Sequence, residues 1–227
     1  MQSALPKVLH PLAGKPLLAY VIETARQLEP THICIVYGHG GEQVPAAFKA
    51  PDISFARQEP QLGTGHAVKQ ALPHIDAGLD TLVLYGDVPL ISQATLQKLV
   101  RGKGERVAIL TAELAAPKGY GRIVRDARAA VTGIVEEKDA TAEQRAIREI
   151  NSGIMLLPGN RLAGWLEQLS NDNAQHEYYL TDVVALALKD GVRVDAQPTA
   201  DVSEIHGVNS MRQLDRKSTR LNSSHRC

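Results

Sequence analysis

Leu82-Val83-Leu84-Tyr85-Gly86-Asp87-Val88-Pro89-Leu90 is an apolar, β-prone run that ends in one carboxylate, with a glycine before it and a proline soon after. It reads as a buried strand that delivers an acid. A strand apolar on both faces belongs in the middle of a helix-covered parallel sheet, and in such sheets ligands bind at the carboxyl ends of the strands. Asp87 stands at that end. The plainer reading is a strand-end aspartate that caps a turn, so the rest of the chain has to decide between them.

Outward from this run, helical and extended segments alternate. On the N-terminal side, Pro16 to Leu28 places Leu17, Leu18, Val21, Ile22, Ala25 and Leu28 at helical spacing, with proline at the first turn, where its missing N–H costs nothing. A strand from His32 to Tyr37 runs into Gly38-His39-Gly40-Gly41. A second strand, Ile53 to Arg57, leads to Gln58 and the loop Gln61-Leu62-Gly63-Thr64-Gly65, from which a helix continues to Leu72. On the C-terminal side Ser92 is a good N-cap for another helix, and Val107 to Leu114 reads as the next strand. This alternation predicts an α/β fold, doubly wound on a mostly parallel, Rossmann-like sheet.

Beyond Pro117 the pattern changes. Ile123 to Arg125 and Val131 to Glu136 read as a small β-hairpin insertion of the kind that covers a substrate. Glu149 to Leu157 is a further strand, broken by Asn151-Ser152-Gly153, and Arg161 to Leu169 and Leu180 to Lys189 are amphipathic helices. Residues 215–227 lose apolar periodicity and read as a disordered tail, whose string DRKSTRLNSSH also resembles the conceptual translation of a DNA-sequencing adapter. The expected domain therefore covers residues 1–214.

With 227 residues, 44% of them hydrophobic and 22% charged, the chain can bury a full core. The 25 basic residues balance the 25 acidic ones and are scattered, which argues against a nucleic-acid or membrane surface and leaves room for a small, locally anionic ligand. Cys34 lies in an apolar run and Cys227 is the last residue, so there is no disulfide framework and no CxxC pair, and the expected compartment is a reducing cytoplasm. No apolar stretch reaches the roughly 18 residues of a membrane span.

Three features could carry chemistry. Lys7 stands between apolar pairs just before Gly-Lys-Pro; most lysines are simply exposed, but an ammonium near a helix start suits phosphate oxygens. Gly63-Thr64-Gly65 could bring backbone N–H groups against a nucleotide without a side-chain clash. Asp87 and Asn209 are both hard oxygen ligands of the kind Mg²⁺ prefers, although nothing in their spacing pairs them. The histidines show no i, i+4 or HExxH pattern, which argues against zinc, and no GxSxG or Cys/His signature points to covalent hydrolysis.

The segments LPKVLHPLAGKP, QLGTGHA, LYGDVPLI, GYGRIVR, GIVEEKDA, EINSGIM, EYYLTDVVALA and GVNS occur in this order. In that set the chain resembles the uridyltransferase domain of the bacterial bifunctional N-acetylglucosamine-1-phosphate uridyltransferase/glucosamine-1-phosphate acetyltransferases, over roughly residues 1–214. The resemblance implies a nucleotide-diphospho-sugar transferase fold and transfer of a uridylyl group from UTP to N-acetylglucosamine 1-phosphate. The products would be UDP-N-acetylglucosamine, a precursor for the cell envelope, and pyrophosphate. It further implies that Asp87 and Asn209 hold Mg²⁺, that Lys7 faces phosphate, and that Gln58, Gly63 and Thr64 hold the uracil nucleotide. Tyr85 and Gly86 would flank the metal carboxylate. Gly121, Glu136, Asn151, Tyr179 and Thr181 would surround the amino sugar.

In the family a first strand leads into a loop like LAAGxGTRM, and a trimerising, acetyl-CoA-binding β-helix follows. This sequence starts at the methionine closing that string, so the expectation is a domain without its first strand and signature loop, marginally folded and weakly active. The alternatives left open are a pyrophosphorylase for another sugar phosphate and a non-catalytic UDP-sugar-binding remnant.

Overall fold

The protein is described by a computed structural model over residues 5–38, 40–102 and 104–208. The expected boundary at residue 214 and the tail 215–227 lie outside the described residues, as does Asn209.

Near the N-terminus a two-stranded hairpin, β1 (Pro11–Leu12) and β2 (Lys15–Pro16), hands the chain to α1 (Leu17–Arg26), with Pro16 in the N-cap position. Leu17, Leu18, Val21 and Ile22 form the buried stripe of α1. The next strand, β3 (Ile33–Tyr37), runs parallel to β4 (Ile53–Arg57), with α2 (Gln43–Ala47) between them. Ile35 and Val44 pack with Leu9, Leu18 and Ile22 on one side of this pair.

After β4 come α3 (Thr64–Ala71), β5 (Thr81–Val83) and α4 (Gln93–Val100). The Ser92 hydroxyl accepts the Thr95 N–H, which is the N-cap bond its sequence position predicts. Next are β6 (Arg106–Glu113), the hairpin β7 (Arg122–Arg125) and β8 (Val131–Val135), α5 (Ala142–Arg145) and the long β9 (Glu149–Leu157). The described chain then continues through α6 (Gly159–Glu167), α7 (Val183–Lys189) and β10 (Arg193–Pro198).

Strand β9 organises the main sheet. On one side it pairs with β6, which pairs in turn with β10; on the other it pairs with β5 at its C-terminal half and with β7 at Ile150. Strands β6 and β10 are parallel and β5 runs in the same direction, but the other described ladders of this sheet are antiparallel, so the sheet is mixed rather than mostly parallel. Reversal is confined to β9 and the hairpin strand β8, where the helical connections give way to the insertion. Both faces of the sheet are covered. Val107 and Ile109 of β6 and Met155 and Leu157 of β9 point to α6 and α7, where Trp165, Leu166, Val183 and Val184 are buried. Ala108, Leu110 and Ala112, with Ile150, Ile154 and Leu156, pack instead on Leu96 and Leu99 of α4. This period-two division of one strand between two helical layers defines the doubly wound architecture.

One expectation is corrected. The run at Leu82 is not a long, fully buried central strand: β5 ends at Val83, its residues are half-buried, and among the described residues its partner is the antiparallel β9. The apolar residues beyond Val83 are taken up by tertiary packing rather than by a ladder, since Leu84 and Tyr85 lie against the cluster containing Val88 and Ile91. Asp87 sits in the turn that follows.

Candidate functional site

The break at Asn151-Ser152-Gly153 builds one wall of the site. Between Ile109↔Met155 and Thr111↔Asn151 the pairing of β6 and β9 slips, which leaves extra residues on β9. The Ser152 hydroxyl donates to the Leu110 carbonyl at 2.6 Å and accepts the Ile154 N–H at 3.2 Å, restoring bonds that the ladder loses. Gly153 has φ +87°, and a Cβ there would sit 2.5 Å from the Tyr85 ring, so only glycine fits this bulge without moving the tyrosine.

Opposite, the loop before α3 is zipped to the segment before α7. Tyr178 N–H donates to Leu62 O and Gly65 N–H to Tyr178 O, both at 2.8 Å, while the Thr64 hydroxyl accepts the Leu180 N–H at 3.0 Å. Gly63, at φ +103°, lies so close that a Cβ would approach Tyr178 O to 2.7 Å. Buried Gln58 donates its Nε2 to Gly63 O at 2.9 Å and to His66 Nδ1 at 3.1 Å, which fixes the approach to this loop.

Between these walls is a cavity of about 270 Å³, into which Thr64, Tyr85, Gly121, Glu136, Asn151, Tyr179 and Thr181 all open. Segments far apart in the chain thus supply one concave space of mixed polar and apolar lining, the arrangement expected of a small-molecule site. Tyr120, Gln175 and Glu177 also line it and were not singled out from sequence. Tyr120 lies inside the quoted GYGRIVR string, and Glu177 opens EYYLTD, so the signal was at hand; Gln175 had none.

Charge is distributed unevenly. Thr181 donates to Glu136 Oε1 at 2.9 Å. Burial nonetheless raises the Glu136 carboxyl above the ordinary glutamate range, with Asp182 and Asp139 pushing the same way. The Tyr85 hydroxyl is pushed up to about 12 by burial and by the charges of Glu136 and Asp87, so it stays a neutral donor. Tyr179 OH accepts from Gln175 Nε2 at 3.0 Å.

A carboxyl raised above 4.5 by folding binds protons more tightly in the native state, so stability falls as pH rises from 4.5 through the folded value. Below 4.5 both states are protonated and the penalty vanishes. Glu136→Gln keeps the Thr181 bond and removes the buried charge. It is expected to melt higher than the unaltered chain at neutral pH and at the same temperature below 4.5, as thermal scans at the two pH values will read; equal midpoints at neutral pH would contradict this.

Asp87 is not alone at its turn. Lys7 Nζ forms an ion pair with Asp87 Oδ2, and the Val208 N–H donates to Asp87 O at 2.9 Å. A Cβ on Gly207 would lie 3.0 Å from Asp87 Oδ2, so the segment ending at Val208 is packed against this carboxylate. Lys7 therefore faces the carboxylate rather than a helix N-terminus: it lies in a short 3₁₀ turn, Lys7–Leu9, before the hairpin. Gly86, next to Asp87, packs against Val8 and Leu18. Among the described residues no three His, Cys, Asp or Glu side chains converge as a closed metal cage. Asp87 does not line the cavity but acts electrostatically on Tyr85, which does, and a single hard carboxylate so placed suits an ion such as Mg²⁺, which binds through one or two carboxylates plus substrate phosphates. The donor set that is described fits that mode.

The doubly wound α/β sheet, covered by helices on both faces, has the fold of a nucleotide-sugar transferase. In keeping with this, the structure superposes on UDP-glucose pyrophosphorylase complexed with UDP-glucose with a TM-score of 0.76 at 18% identity, covering 96% of this chain and 91% of that one. The profile of the MobA-like NTP transferase domain matches residues 1–176, and the chain belongs to that family. It is 60% identical over 215 residues to the Bifunctional protein GlmU of Herminiimonas arsenicoxydans and 61% identical over 216 residues to that of Janthinobacterium sp. (strain Marseille). Each match covers 94% of this chain and 47% of the relative, so the chain spans about half the length of these relatives. No helix among the described residues is long and apolar enough to cross a membrane.

Proposed function

We propose that this chain carries a uridylyl-transfer site, which joins UTP to N-acetylglucosamine 1-phosphate and yields UDP-N-acetylglucosamine and pyrophosphate. A phosphate oxygen of the sugar phosphate bonds to the α-phosphorus of UTP while the bond from that phosphorus to the oxygen of the departing pyrophosphate breaks. No bond to the protein forms. Such a transfer depends on alignment and on neutralising charge at the phosphoryl oxygens.

Gln58, Gly63 and Thr64 are assigned to the uracil nucleotide, and Gly121, Glu136, Asn151, Tyr179 and Thr181 to the amino sugar. Glu136 offers a carboxylate oxygen to a sugar hydroxyl or amide N–H, and Thr181 holds that carboxylate in place. Lys7 brings its ammonium to the phosphates. Asp87 is assigned to Mg²⁺, which when bound would neutralise charge on the phosphate oxygens; Tyr85 and Gly86 flank that carboxylate. Asn209, the second ligand implied by the resemblance, belongs to the same proposal and lies outside the described residues. With it go a cytoplasmic location and a homotrimeric parent protein.

The observation that carries the reading is the convergence of Thr64, Tyr85, Gly121, Glu136, Asn151, Tyr179 and Thr181 on one cavity. Calorimetry with UDP-N-acetylglucosamine and UDP-glucose in the presence of Mg²⁺, beside a pyrophosphate-release assay, tests it. Preference for the N-acetylated sugar by about tenfold or more, with release of pyrophosphate, is the expected result. Preference for another sugar overturns the substrate assignment, and binding without turnover leaves a UDP-sugar-binding domain.

A further inference from the structure

Arg122 is 1% exposed, although arginine is among the side chains that are almost never fully buried unless paired. It stands at the start of β7, where an apolar residue would pack without the desolvation cost of a guanidinium. Its Nη1 donates to the Tyr120 carbonyl. Its Nη2 donates to Glu137 Oε2 at 2.6 Å and to the Arg145 carbonyl at 3.4 Å, while Nε is buried with no partner among the described residues. Glu137 Oε2 also accepts the Gly119 N–H at 3.3 Å, and the Glu137 carbonyl accepts from Arg145 Nε at 3.2 Å.

These bonds join two segments that share the cavity. One supplies Gly119, Tyr120 and Gly121; the other supplies Glu136, adjacent to Glu137. The segments are nearly in contact, since a Cβ on Gly121 would lie 3.2 Å from Glu136 Oε1. Neither Arg122 nor Glu137 opens into the cavity. The geometry is that of a clamp placed behind the wall.

We propose that Arg122 and Glu137 are positioning residues: their ion pair sets the spacing between the Gly121 wall and the Glu136 carboxylate, and through it the affinity for the sugar half of the ligand. This deepens the assignment of the cavity to the amino sugar and rests on it. The nucleotide half, assigned to Gln58, Gly63 and Thr64, has no bond to either residue.

Calorimetry on the full chain with UDP-N-acetylglucosamine and with UTP, both with Mg²⁺, separates the two halves. Glu137→Ala is expected to weaken UDP-N-acetylglucosamine binding by about tenfold or more while UTP changes by less than about twofold. Glu137→Gln keeps an oxygen facing the guanidinium and the Gly119 N–H, and should stay within about threefold of the unaltered chain for both ligands. The paired replacement Arg122→Met with Glu137→Leu leaves no unpartnered charge, so it tests the clamp even if Glu137→Ala does not fold; it should show the same selective loss. Equal weakening of both ligands, or unchanged sugar-nucleotide binding in the paired variant, overturns the positioning role while leaving the site assignment intact. An unaltered chain that binds UTP but not UDP-N-acetylglucosamine overturns the sugar-site reading, and the inference with it.

Discussion

Asp87→Asn is expected to slow pyrophosphate release from UTP and N-acetylglucosamine 1-phosphate by about a hundredfold or more, the usual consequence of removing one preorganised charge-stabilising contact. The substitution preserves the side-chain shape and the backbone bond from Val208 while removing the charge that pairs with Lys7. Lys7→Met should act on the same steps, and because the two groups touch, the double variant should lose less than the product of the single losses. Folding should be little affected, because the side chains are 38% and 22% exposed and such pairs contribute about 0–1 kcal/mol. Initial rates with matched thermal melts separate the effects. A rate within about threefold of the unaltered chain would remove Asp87 from the reacting centre.

The largest effect on stability is expected at Trp165. Its side chain is 1% exposed, packs in the cluster with Met155, Leu157 and Val183, and donates its indole N–H to Asp190 Oδ2 at 2.8 Å. Trp165→Ala removes that burial, opens a cavity between α6 and the sheet and breaks the tie to the end of α7. The cost should be about 3–5 kcal/mol. Against a usual domain stability of about 5–15 kcal/mol this is a large fraction, to be read as a much lower urea midpoint with an unchanged slope. A loss below about 1 kcal/mol would mean that the layer closes over the gap or that α6 contributes little.

Local chemistry made much of the fold legible. The apolar spacing of α1, the β-branched run of β3, the bounds of β4, the Ser92 cap of α4 and the bounds of β9 agree with the structure to within a residue or two. The missed elements lacked such signals. The β1–β2 hairpin turns through Ala13 and Gly14, both at positive φ, and alanine is not a residue that advertises a left-handed turn. Helix α2 has one buried residue, Val44, and carries a proline within it, so its period is too short to read. Strand β10 alternates arginine and aspartate with apolar residues at the sheet edge, where β-propensity is weakest as a guide.

The candidate site was legible only in part, for a different reason. Lys7 meets Asp87 across 80 residues, and Thr64 meets Leu180 across 116, distances at which spacing carries no information. The resemblance to a family grouped Glu136, Asn151 and Thr181, which do line one cavity; residue chemistry alone would not have grouped them. Arg122 gave no sign of its role, because nothing in a polar-looking hairpin strand says that its arginine will be buried.

The proposed transfer requires a divalent ion between Asp87 and the ligand's phosphates, with the amino sugar in the Glu136–Thr181 cavity. A crystal of the chain grown with Mn²⁺ and UDP-N-acetylglucosamine, read by anomalous scattering, tests this directly. The expected result is a metal peak about 2.0–2.3 Å from an Asp87 carboxylate oxygen and the sugar ring against Glu136 and Asn151. A metal bound elsewhere, or a sugar outside that cavity with Lys7 still paired to Asp87, would contradict it.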